Sequence, residues 1–546
     1  SILPSNIYIE KFKEFIKQDD NAKLRRKYYK GLGTSSNDEV KKTFGQRVIR
    51  YEKDEDADDH MNMVFSSSES DARKNWLRRY DPTACLAKSS NAKVQDMSIT
   101  DFINQQMIMF SIDDCGRSLP HLLDGFKESH RKIMYSVFKR KLSYGGKSLK
   151  VAQLAGYTAE HSAYHHGEHC LFDTIQNLAA DIVGKTNIPL LFRDGQYGTR
   201  MQGGKDAAAG RYIFTKLDAL TRDIFIKDDE QLLPRHREDG ELIEPKFYIP
   251  IIPMVLVNGC QAGIGTGWSC SIPTYNPKDL INACRVWMTD GIDSIPELVP
   301  WYRNFKGKVS TSGVMSRQKN QVTITELPIG MWTDKYKEFL EDLLEKKFIK
   351  NLQNYSTPQK VKFVITEHRN GMKCTPDNLK LKNTVTTTNM VLFTPKGKLK
   401  KFKTVAEILD NFCKCRLVLY KKRKAFVIKG IEQELVVLRN KRKYLSDVME
   451  GNLVIFKRPE EEIIPDMETM GFVKLATTKK EETYDYLLNL PNRSFTQNKL
   501  DILDKDIQSK ETKLKTIQGK TPEDIWMSEL ENLEQKYKPW LRKMTH

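Results

Sequence analysis

The sequence predicts a multidomain protein of mixed α and β structure, and three observations predict it. The chain has 546 residues, which is about three or four times the length of a typical domain. Apolar residues recur at helical spacing after residue 98, whereas β-branched runs separated by Gly, Pro and Asn fill residues 243–405. Beyond residue 404 more than forty residues carry no proline, and their apolar positions follow a coiled-coil spacing.

The N-terminal 97 residues alternate short β-rich pieces with polar interruptions. IYIEKF and QRVIRYE flank a glycine turn in KYYKGLGTSS, and the polar stretches DEDADD and SSSES follow. This pattern predicts the end of one domain followed by a linker. Because the sequence starts with SILPSNIYIEKF, with neither an initiator Met nor a signal peptide, we expect the chain to begin inside a longer protein.

A helical domain is predicted from residue 98, and a β-rich one follows it. Ser98-Ile-Thr-Asp101 is typical of a helix N-cap. The apolar face expected after this cap comprises Phe102, Ile103, Met107 and Phe110. The later runs VTITELP, KVKFVITEH and TTTNMVLF predict strands of a second, mixed domain.

The C-terminal part predicts a long antiparallel pair of helices. The first apolar seam comprises Ile428, Ile431, Leu435, Leu438 and Leu445. The second seam comprises Leu500, Leu503, Ile507, Leu514 and Ile517. Both follow heptad-like spacing, so the two helices are expected to pair around residues 450–495. Two helices on an ordinary core are the alternative interpretation.

Charge and cysteine usage limit the classes of partner. Lys and Arg exceed Asp and Glu by 18, which favours a polyanionic partner and nucleic acid before membrane. The nine cysteines contain no C-x-x-C pair, so neither a disulfide framework nor a zinc ribbon is predicted. The most apolar run, 247–257, is too short for a membrane helix and contains two prolines. We expect no membrane partner.

One short motif leaves a different enzyme class open. The segment His165-His166-Gly167-Glu168-His169 fits H-x-x-E-H, in which two histidines on one helix face bind zinc beside a glutamate base. A zinc metallopeptidase is therefore one alternative. A DNA-bending protein without chemistry is the other.

The segment with the strongest chemical signal is rich in glycine and cations. Between residues 195 and 212 it contains five glycines together with Arg200, Lys205 and Arg211. Glycine allows close backbone approach to a ligand, and guanidinium and ammonium groups suit phosphate. Tyr212 follows Arg211, so the segment predicts a phenol that attacks phosphorus beside a stabilising cation.

Seven motifs in fixed order carry a resemblance to a known family. They are KYYKGLGT (27–34), RSLPHLLDGFK (117–127), KVAQLAG (150–156), YHHGE (164–168), GQYGTRMQGGKDAAAGRYIF (195–214), YIPIIPMVLVNG (248–259) and GIGTGWSC (263–270). Together they resemble the DNA-binding and cleavage core of type IIA DNA topoisomerases of the eukaryotic and large-DNA-virus branch. The likeness extends to the terminal EDIWMSELENLEQKY.

The resemblance implies four regions and a fold class. Residues 1–97 are expected to form the C-terminal part of a Toprim domain and a linker, and residues 98–240 a winged-helix DNA-cleavage domain. Residues 241–405 are expected to form a β-rich tower, and residues 406–546 the coiled-coil arms with a helical dimer gate. The implied fold is multidomain, mixed α/β.

The resemblance also implies an activity and the residues that perform it. The family breaks both strands of one duplex, passes another through the gap and reseals the first. By motif, Tyr212 becomes joined to a DNA 5′ phosphate and Arg211 stabilises that phosphate. The remaining residues implied at the site are His166, Arg117 and Lys127 as supporting cations, Ile264 as a wedge between base pairs, and Lys205, Arg200, Lys150 and His165 as DNA contacts.

The family further implies double-stranded DNA as partner, a homodimer, and Mg²⁺ and ATP as cofactors. The residues that bind both cofactors are expected upstream of this chain, so no metal ligand is predicted within it. The protein is expected to act with the genome: in the nucleus if the source is a cell, or in the host cytoplasm or virion if it is a large DNA virus. Two local departures from the family pattern are Glu128 and His130, which stand where Pro and Gln are usual, and an extra residue in NGCQAGIG.

Overall fold

The computed structural model describes residues 36–43, 48–80, 94–238, 240–307, 312–368, 371, 373–476 and 482–544. The motif KYYKGLGT and the predicted β-rich piece IYIEKF lie outside these residues, whereas residues 48–52 of QRVIRYE form a strand, as predicted. Within the described part, no helix is both long enough and apolar enough to cross a bilayer.

The first described helices and strands are joined to the main hydrophobic core through two of the helices. They are α1 (Asn37–Thr43), β1 (Val48–Glu52), α2 (Ala57–Phe65), α3 (Ser70–Arg78) and β2 (Val94–Ser98). β1 and β2 run parallel to each other. Trp76 and Leu77 of α3 are buried in the main core, so this part is attached to the rest of the fold.

The helix expected after residue 98 begins where its cap predicts. Ser98 Oγ accepts a hydrogen bond from the Asp101 amide at 2.9 Å, which confirms the N-cap. α4 (Ile99–Phe102) then passes through a π-helical turn at Ile103–Met107 into α5 (Ile108–Ser118).

The π-helical turn changes which apolar side chains face the core. A π turn adds a residue to the helical register and rotates everything after it. Ile103 and Ile108 are therefore buried, whereas Phe110 is exposed to solvent. The prediction that Phe110 belongs to the apolar face is wrong for this reason.

Three helices and a small antiparallel sheet form the next unit. The elements are α6 (Glu128–Lys139), β3 (Leu149–Lys150), α7 (Val151–His161), α8 (Glu168–Ala179), β4 (Leu191–Asp194) and β5 (Phe214–Leu217). The strand order is β3-β5-β4, and both pairings are antiparallel. Ile133, Leu154 and Leu171, one from each helix, are fully buried together. This is the arrangement of a winged helix.

Two hairpins and three helices extend the main core. The elements are α9 (Thr221–Ile224), β6 (Arg235–Glu238), β7 (Glu241–Pro245), α10 (Met254–Val257), β8 (Cys260–Gly265), β9 (Trp268–Ile272) and α11 (Pro277–Asp290). In the β8–β9 hairpin Cys260 pairs with Ile272 but Gly263 pairs with Cys270, so β8 carries one more residue than β9 over that interval. The hairpin therefore contains a β-bulge.

A second hydrophobic core lies in the middle of the chain. It is built on a four-stranded antiparallel sheet in the order β10-β11-β13-β12. The elements are β10 (Val314–Gln318), β11 (Gln321–Glu326), α12 (Thr333–Glu345), β12 (Ile349–Asn354) and β13 (Phe363–Glu367). Two of the predicted strands, in VTITELP and KVKFVITEH, are confirmed here, and the third forms β14 (Met390–Phe393), which pairs with β15 (Leu399–Phe402) on the main core.

The C-terminal helices pair antiparallel, as the two seams predict. The elements are α13 (Val405–Met449), α14 (Glu460–Thr469), β16 (Leu475–Ala476), β17 (Glu482–Thr483), α15 (Asp485–Leu488), α16 (Gln497–Gly519) and α17 (Pro522–Met544). Ile431, Leu435 and Leu503 of the seams are buried. Ion pairs join Arg442 to Asp504 at 3.0 Å and Arg439 to Glu511 at 2.6 Å. A third, small core lies where the pair ends, between residues 444 and 503.

The base of α13 is fixed by a buried charged network. Arg416, which is fully buried, donates to Asp229 at 2.7 Å, and Arg423 bonds both Asp229 and Glu529 of α17. Buried charges are tolerated when each has a partner, and removing one partner costs about 3–5 kcal/mol. The network therefore ties the long helix to the main core and to the last helix.

Candidate functional site

The loop that carries Tyr212 is held at both sides by the start of α7. The amide of Ala152 donates to the carbonyl of Gly210, and the amide of Val151 donates to that of Ile213, both at 3.0 Å. These amides belong to the first turn of a helix, where no intrahelical carbonyl satisfies them. Tyr212 thus lies between two anchored residues, and its side chain is 65% exposed.

Arg211 accompanies the phenol directly. Its Cζ lies 4.8 Å from the centroid of the Tyr212 ring. A guanidinium at this distance attracts the ring electrostatically and is also positioned to reach an anion that approaches the phenol. The predicted pairing of a phenol with a cation is therefore present at the surface, and the nucleophilic role of Tyr212 stays a prediction.

The glycine-rich stretch before Tyr212 folds back on itself. Asp206 accepts hydrogen bonds from the Thr199 amide at 2.9 Å and the Thr199 hydroxyl at 2.6 Å, and these bonds lower the pKa of its carboxyl against the opposing effect of burial. Gly198 has a φ of 82°, and a side chain there would meet the backbone of Gly204 at 2.5 Å. This glycine is needed for both its backbone angle and its close approach.

The same stretch is docked on the second core, a contact that the sequence does not reveal. A side chain at Gly203 would meet the Trp332 ring at 2.2 Å, and the Asp334 amide donates to the Met201 carbonyl at 3.1 Å. Trp332 is the N-cap of α12.

Arg200 takes part in this docking. Its guanidinium forms an ion pair with Glu326, and the Arg200 side chain is only 10% exposed. Glu326 also accepts hydrogen bonds from the amides of Leu327 and Lys306. An internally paired guanidinium has little capacity left for a phosphate. We therefore do not retain Arg200 among the DNA contacts.

Lys205 lines a cleft beside Arg211. The cleft encloses about 830 Å³ and is also lined by Lys185, His169 and Asp173. Burial, and then repulsion from Lys205, hold the pKa of Lys185 below its ordinary value. Lys205, Lys185 and Arg211 form a positively charged wall, and Lys185 is a member that the sequence motifs did not indicate.

Lys150 lies on the other side of the anchored loop. It pairs with Phe214 across β3 and β5, and its Nζ lies 5.9 Å from the Phe214 ring centroid. Phe214 is two residues beyond Tyr212, so Lys150 pairs with the start of the strand that follows the Tyr212 loop. Its side chain is exposed.

The histidine motif does not form a zinc site. Gly167 is the N-cap of α8, so His165 precedes the helix and His169 lies within its first turn. The two histidines therefore do not share a helix face, and the geometry that H-x-x-E-H requires is absent. His165 lies 3.7 Å from Glu238, and His169 packs edge-on to Phe172. No group of three candidate metal ligands occurs anywhere in the described residues.

Two of the predicted supporting cations share one region. The ring of His166 lies 5.3 Å from that of Tyr164 in an edge-on contact. Burial, together with Cys170 and Glu128, raises the pKa of Tyr164 to about 12, and the nearby charge of Arg117 opposes that shift. Arg117 is exposed in the last turn of α5. In the described part of the chain no hydrogen bond or ion pair connects His166 or Arg117 with Tyr212.

Lys127 immediately precedes Glu128, whose charge acts on Tyr164 together with that of Arg117. It is the N-cap of α6, where its amide donates to His130 Nδ1 at 3.3 Å. Burial, and then the charges of Lys127 and Arg131, lower the pKa of His130 to about 4. The positive charge of Lys127 also acts on Cys260 in the β8–β9 hairpin.

Ile264 stands near the tip of that hairpin, with 74% of its side chain exposed. The turn is clamped to α5: Thr266 donates to Asp114 through its amide at 2.8 Å and its hydroxyl at 2.9 Å. Cys115 Sγ donates to the Thr266 carbonyl at 3.3 Å. Of the large apolar side chains in the described residues, Ile264 is the most exposed, and it is held on a fixed support.

Two protein families match this chain. The family of DNA gyrase/topoisomerase IV A subunits matches residues 117–531, and the C-terminal associated domain of TOPRIM matches residues 5–115. The chain belongs to the type IIA DNA topoisomerases. The two family matches together account for nearly all of this topoisomerase chain.

Individual relatives of this type IIA topoisomerase chain are similar over most of its length. DNA topoisomerase 2 of Invertebrate iridescent virus 6 is 37% identical over 96% of this chain and 46% of its own length. The mitochondrial DNA topoisomerase 2 of Dictyostelium discoideum is 36% identical over 96% of this chain and 42% of its own. The chain therefore spans less than half the length of these curated relatives.

A solved structure supports the same family assignment. The crystal structure of the Plasmodium falciparum topoisomerase II DNA-binding, cleavage and re-ligation domain has a TM-score of 0.82 and 36% sequence identity. The match covers 97% of this chain and 77% of that one. The order of helices, sheets and long helical pair described above is thus that of a type IIA topoisomerase core.

Proposed function

We propose that this chain is the part of a type II DNA topoisomerase that binds, cleaves and religates duplex DNA. The observation that carries the proposal is Tyr212, an exposed phenol fixed between two backbone anchors with the Arg211 guanidinium 4.8 Å from its ring. The family assignment and the DNA-binding, cleavage and re-ligation domain of the Plasmodium relative support it.

The chemistry follows from a phenol and its cations. Tyr212 Oη attacks the scissile phosphorus, the bond to the DNA 3′ oxygen breaks, and the 5′ phosphate remains joined to the tyrosine. Arg211 offsets the charge that develops on the phosphate oxygens, because a preformed cation stabilises such a transition state. The phosphotyrosine conserves the phosphodiester energy, so the 3′ hydroxyl reverses the reaction without ATP at this step.

The surrounding surface suits a bent duplex. Lys205 and Lys150 flank the Tyr212 loop and are exposed for phosphate contacts, and we assign His165, His166, Arg117 and Lys127 as further cations of the same DNA-binding surface. Ile264 is assigned as a wedge, since an apolar side chain inserted between base pairs unstacks them and bends the duplex. A double-strand break needs two tyrosines, so we propose a homodimer.

We propose that the longer protein requires Mg²⁺ and ATP, and that the residues binding them lie outside this chain. The described residues contain no group of three candidate metal ligands, and no step above is routed through a metal ion. We propose that the protein acts where its genome is held, which is the nucleus for a cellular source and the host cytoplasm or virion for a viral one.

Replacing the attacking oxygen tests the proposal. In the longer protein Tyr212→Phe should retain DNA binding but lose the covalent DNA adduct and DNA relaxation, because only the nucleophile is removed. The measurement is a denaturing gel of protein trapped on end-labelled DNA.

A matched control exists in the same unit. Tyr144 is 51% exposed and has Lys216 Nζ 5.4 Å from its ring centroid, so it is also a surface phenol beside a cation. Tyr144→Phe should leave the adduct unchanged. An adduct that persists in Tyr212→Phe, or that is lost in Tyr144→Phe, would contradict the assignment.

A further inference from the structure

Two cysteines lie next to each other at the base of the hairpin that carries Ile264. Cys260 begins β8, and Cys270 lies in the middle of β9. Cys270 pairs directly with Gly263, so a side chain at Gly263 would lie on the same face of the hairpin as the Cys270 side chain.

The bulge brings the Cys260 thiol into the space that Gly263 leaves open. Cys260 Sγ lies 3.3 Å from the position that a Gly263 Cβ would occupy, and 3.9 Å from the Cys270 carbonyl oxygen. In an antiparallel pair, directly opposite Cβ positions are about 4.5–5.5 Å apart. Cys260 pairs with Ile272, and Cys270 lies two residues from Ile272 on the same face, so the two cysteines are diagonal neighbours. Their thiols share a hydrogen bond, so the two sulfurs are adjacent although the residues are not partners in the ladder.

The electrostatic environment favours a reactive thiol at the first position. A hydrogen bond from the Cys270 thiol, followed by the charge of Lys127, holds the pKa of Cys260 below its ordinary value against the effect of burial. The same hydrogen bond and burial raise the pKa of Cys270. The thiolate is the nucleophilic form of cysteine, so Cys260 is the member expected to react first.

We propose that Cys260 and Cys270 are a modification site, at which a peroxide oxidises the two thiols to a reversible intrahairpin disulfide. The Cys260 thiolate attacks a peroxide oxygen and becomes a sulfenic acid, and the Cys270 sulfur then displaces water from it. In total the two thiols lose two electrons and two protons, and hydrogen peroxide is reduced to two molecules of water. The site does not depend on the proposed DNA chemistry.

A third cysteine, Cys115, is close enough to form a disulfide with the hairpin instead. Its position allows that disulfide to be distinguished from the proposed one. Cys115 lies under the hairpin tip, where its thiol donates to the Thr266 carbonyl, and it would meet a side chain at Gly265 at 3.1 Å. It therefore packs beneath the tip of the hairpin, beyond the pair at its base. A bond from Cys115 would join α5 to the hairpin, whereas the proposed bond lies within the hairpin.

Peptide mapping of the whole chain tests the proposal. The folded protein is treated with hydrogen peroxide, quenched with catalase, denatured with N-ethylmaleimide and digested with trypsin. One tryptic peptide, from Phe247 to Lys278, carries both thiols and no other cysteine. We expect it to lose two hydrogens and to take up no maleimide, and to take up two maleimides after dithiothreitol. Oxidation of Met254, which is in the same peptide, does not alter the maleimide count.

Other outcomes overturn the proposal. They are uptake of two maleimides without a reductant, conversion of Cys260 to an irreversible sulfinic acid while Cys270 stays free, and a cross-link to the peptide that contains Cys115. Cys270→Ala serves as the control variant, since its peptide should show no maleimide-resistant, dithiothreitol-reversible disulfide. If the same reversible protection of Cys260 persists in Cys270→Ala, the partner is not Cys270 and the proposal fails.

Discussion

The wedge role proposed for Ile264 depends on the hairpin that holds its exposed side chain in place. An isolated apolar side chain on a surface needs no explanation, but this one projects from a hairpin whose turn is bonded to Asp114 and Cys115. A rigid support allows an apolar wedge to transmit force to a base step, where a mobile side chain would yield.

Shortening this side chain should reduce DNA bending. We expect Ile264→Ala to keep the fold, because the side chain is 74% exposed, and to lower bending and cleavage together. Energy transfer between dyes at the ends of a short duplex measures the bend. Phe456→Ala removes a comparably exposed apolar group at the far end of the helical pair and should leave bending unchanged. Equal bending by Ile264→Ala and the unmodified chain would refute the wedge.

His130 makes the cap of α6 sensitive to pH. Its pKa is lowered from 6.5 to about 4 by burial and by the charges of Lys127 and Arg131. The unfolded imidazole takes up a proton near pH 6.5 and the folded one near pH 4, so stability is complete above pH 6.5 and is lost as the pH falls to 4. Since one pKa unit corresponds to about 1.4 kcal/mol, the loss from this group is about 3 kcal/mol.

Replacement by Gln should remove that loss. Glutamine at this position of a capping box also accepts from the N-cap amide, so His130→Gln keeps the cap without a titrating group. We expect the free energy of unfolding in urea to fall less between pH 6.5 and 4 in this variant than in the unmodified chain. His121, whose pKa burial also lowers to about 4, is present in both and cancels from the comparison. Identical pH dependence would contradict the assignment.

The sequence around Arg200 did not predict the ion pair that this residue forms. Its sequence context, between glycines and beside other cations, is that of a phosphate contact. Its actual partner, Glu326, lies 126 residues away in the chain and belongs to another core. Pairing at that separation is decided by how two modules dock, which local patterns do not encode. Arg211 and Tyr212, by contrast, are neighbours in sequence, so their contact was predictable.

At the scale of elements, apolar spacing predicted the helical pair because nothing interrupts it. α13 runs for 45 residues without proline, and the seam positions Ile431, Leu435 and Leu445 are buried at the predicted spacing. The helix after Ser98 was predicted at its cap and not at Phe110, since the π-helical turn at Ile103–Met107 has no signature in an apolar pattern.

The seam should be sensitive to cavity formation. Leu435→Ala removes a buried side chain between α13 and α16, and such substitutions cost about 2–5 kcal/mol. Val436, its neighbour, is exposed, so Val436→Ala should cost less than about 0.5 kcal/mol. Hydrogen exchange of the α13 amides reports the local stability. Equal loss of protection in the two variants would show that the seam does not hold the pair together.

For the whole molecule, the excess of 18 positive charges predicts how DNA binding depends on salt. Each neutralised phosphate releases counterions, so log affinity should fall linearly with log salt, with a slope of about −0.9 for each contact. Lys205→Gln and Lys150→Gln should each make the slope shallower by about 1. Lys346→Gln, which breaks an ion pair with Asp342 on α12, should not change it. A slope that does not respond to either of the first two variants would remove these residues from the DNA contacts.

The overall architecture was predictable in outline because composition shifts mark its modules, but their boundaries stay a prediction. The main core collects side chains from Val64 to Trp540, so it draws on all four expected regions. Among the residues that the structure describes, the sheet around residues 322–381 and the cluster around residues 444–503 have cores separate from the main one. A hydrophobic core that contains side chains from distant segments of the chain does not coincide with boundaries drawn along the sequence.

The charged network fixes α13 near its N-terminal end, so a rotation at the network is amplified along the rest of the helix. Arg416 and Arg423 lie 33 and 26 residues before the end of α13, which is about 40–50 Å, so a rotation of about 5° there displaces the far end by about 4 Å. The two arginines are held at this point by Asp229 from the main core and Glu529 from the last helix. A small rearrangement of these four side chains is thereby amplified into a displacement of several ångströms at the distant end of the helix.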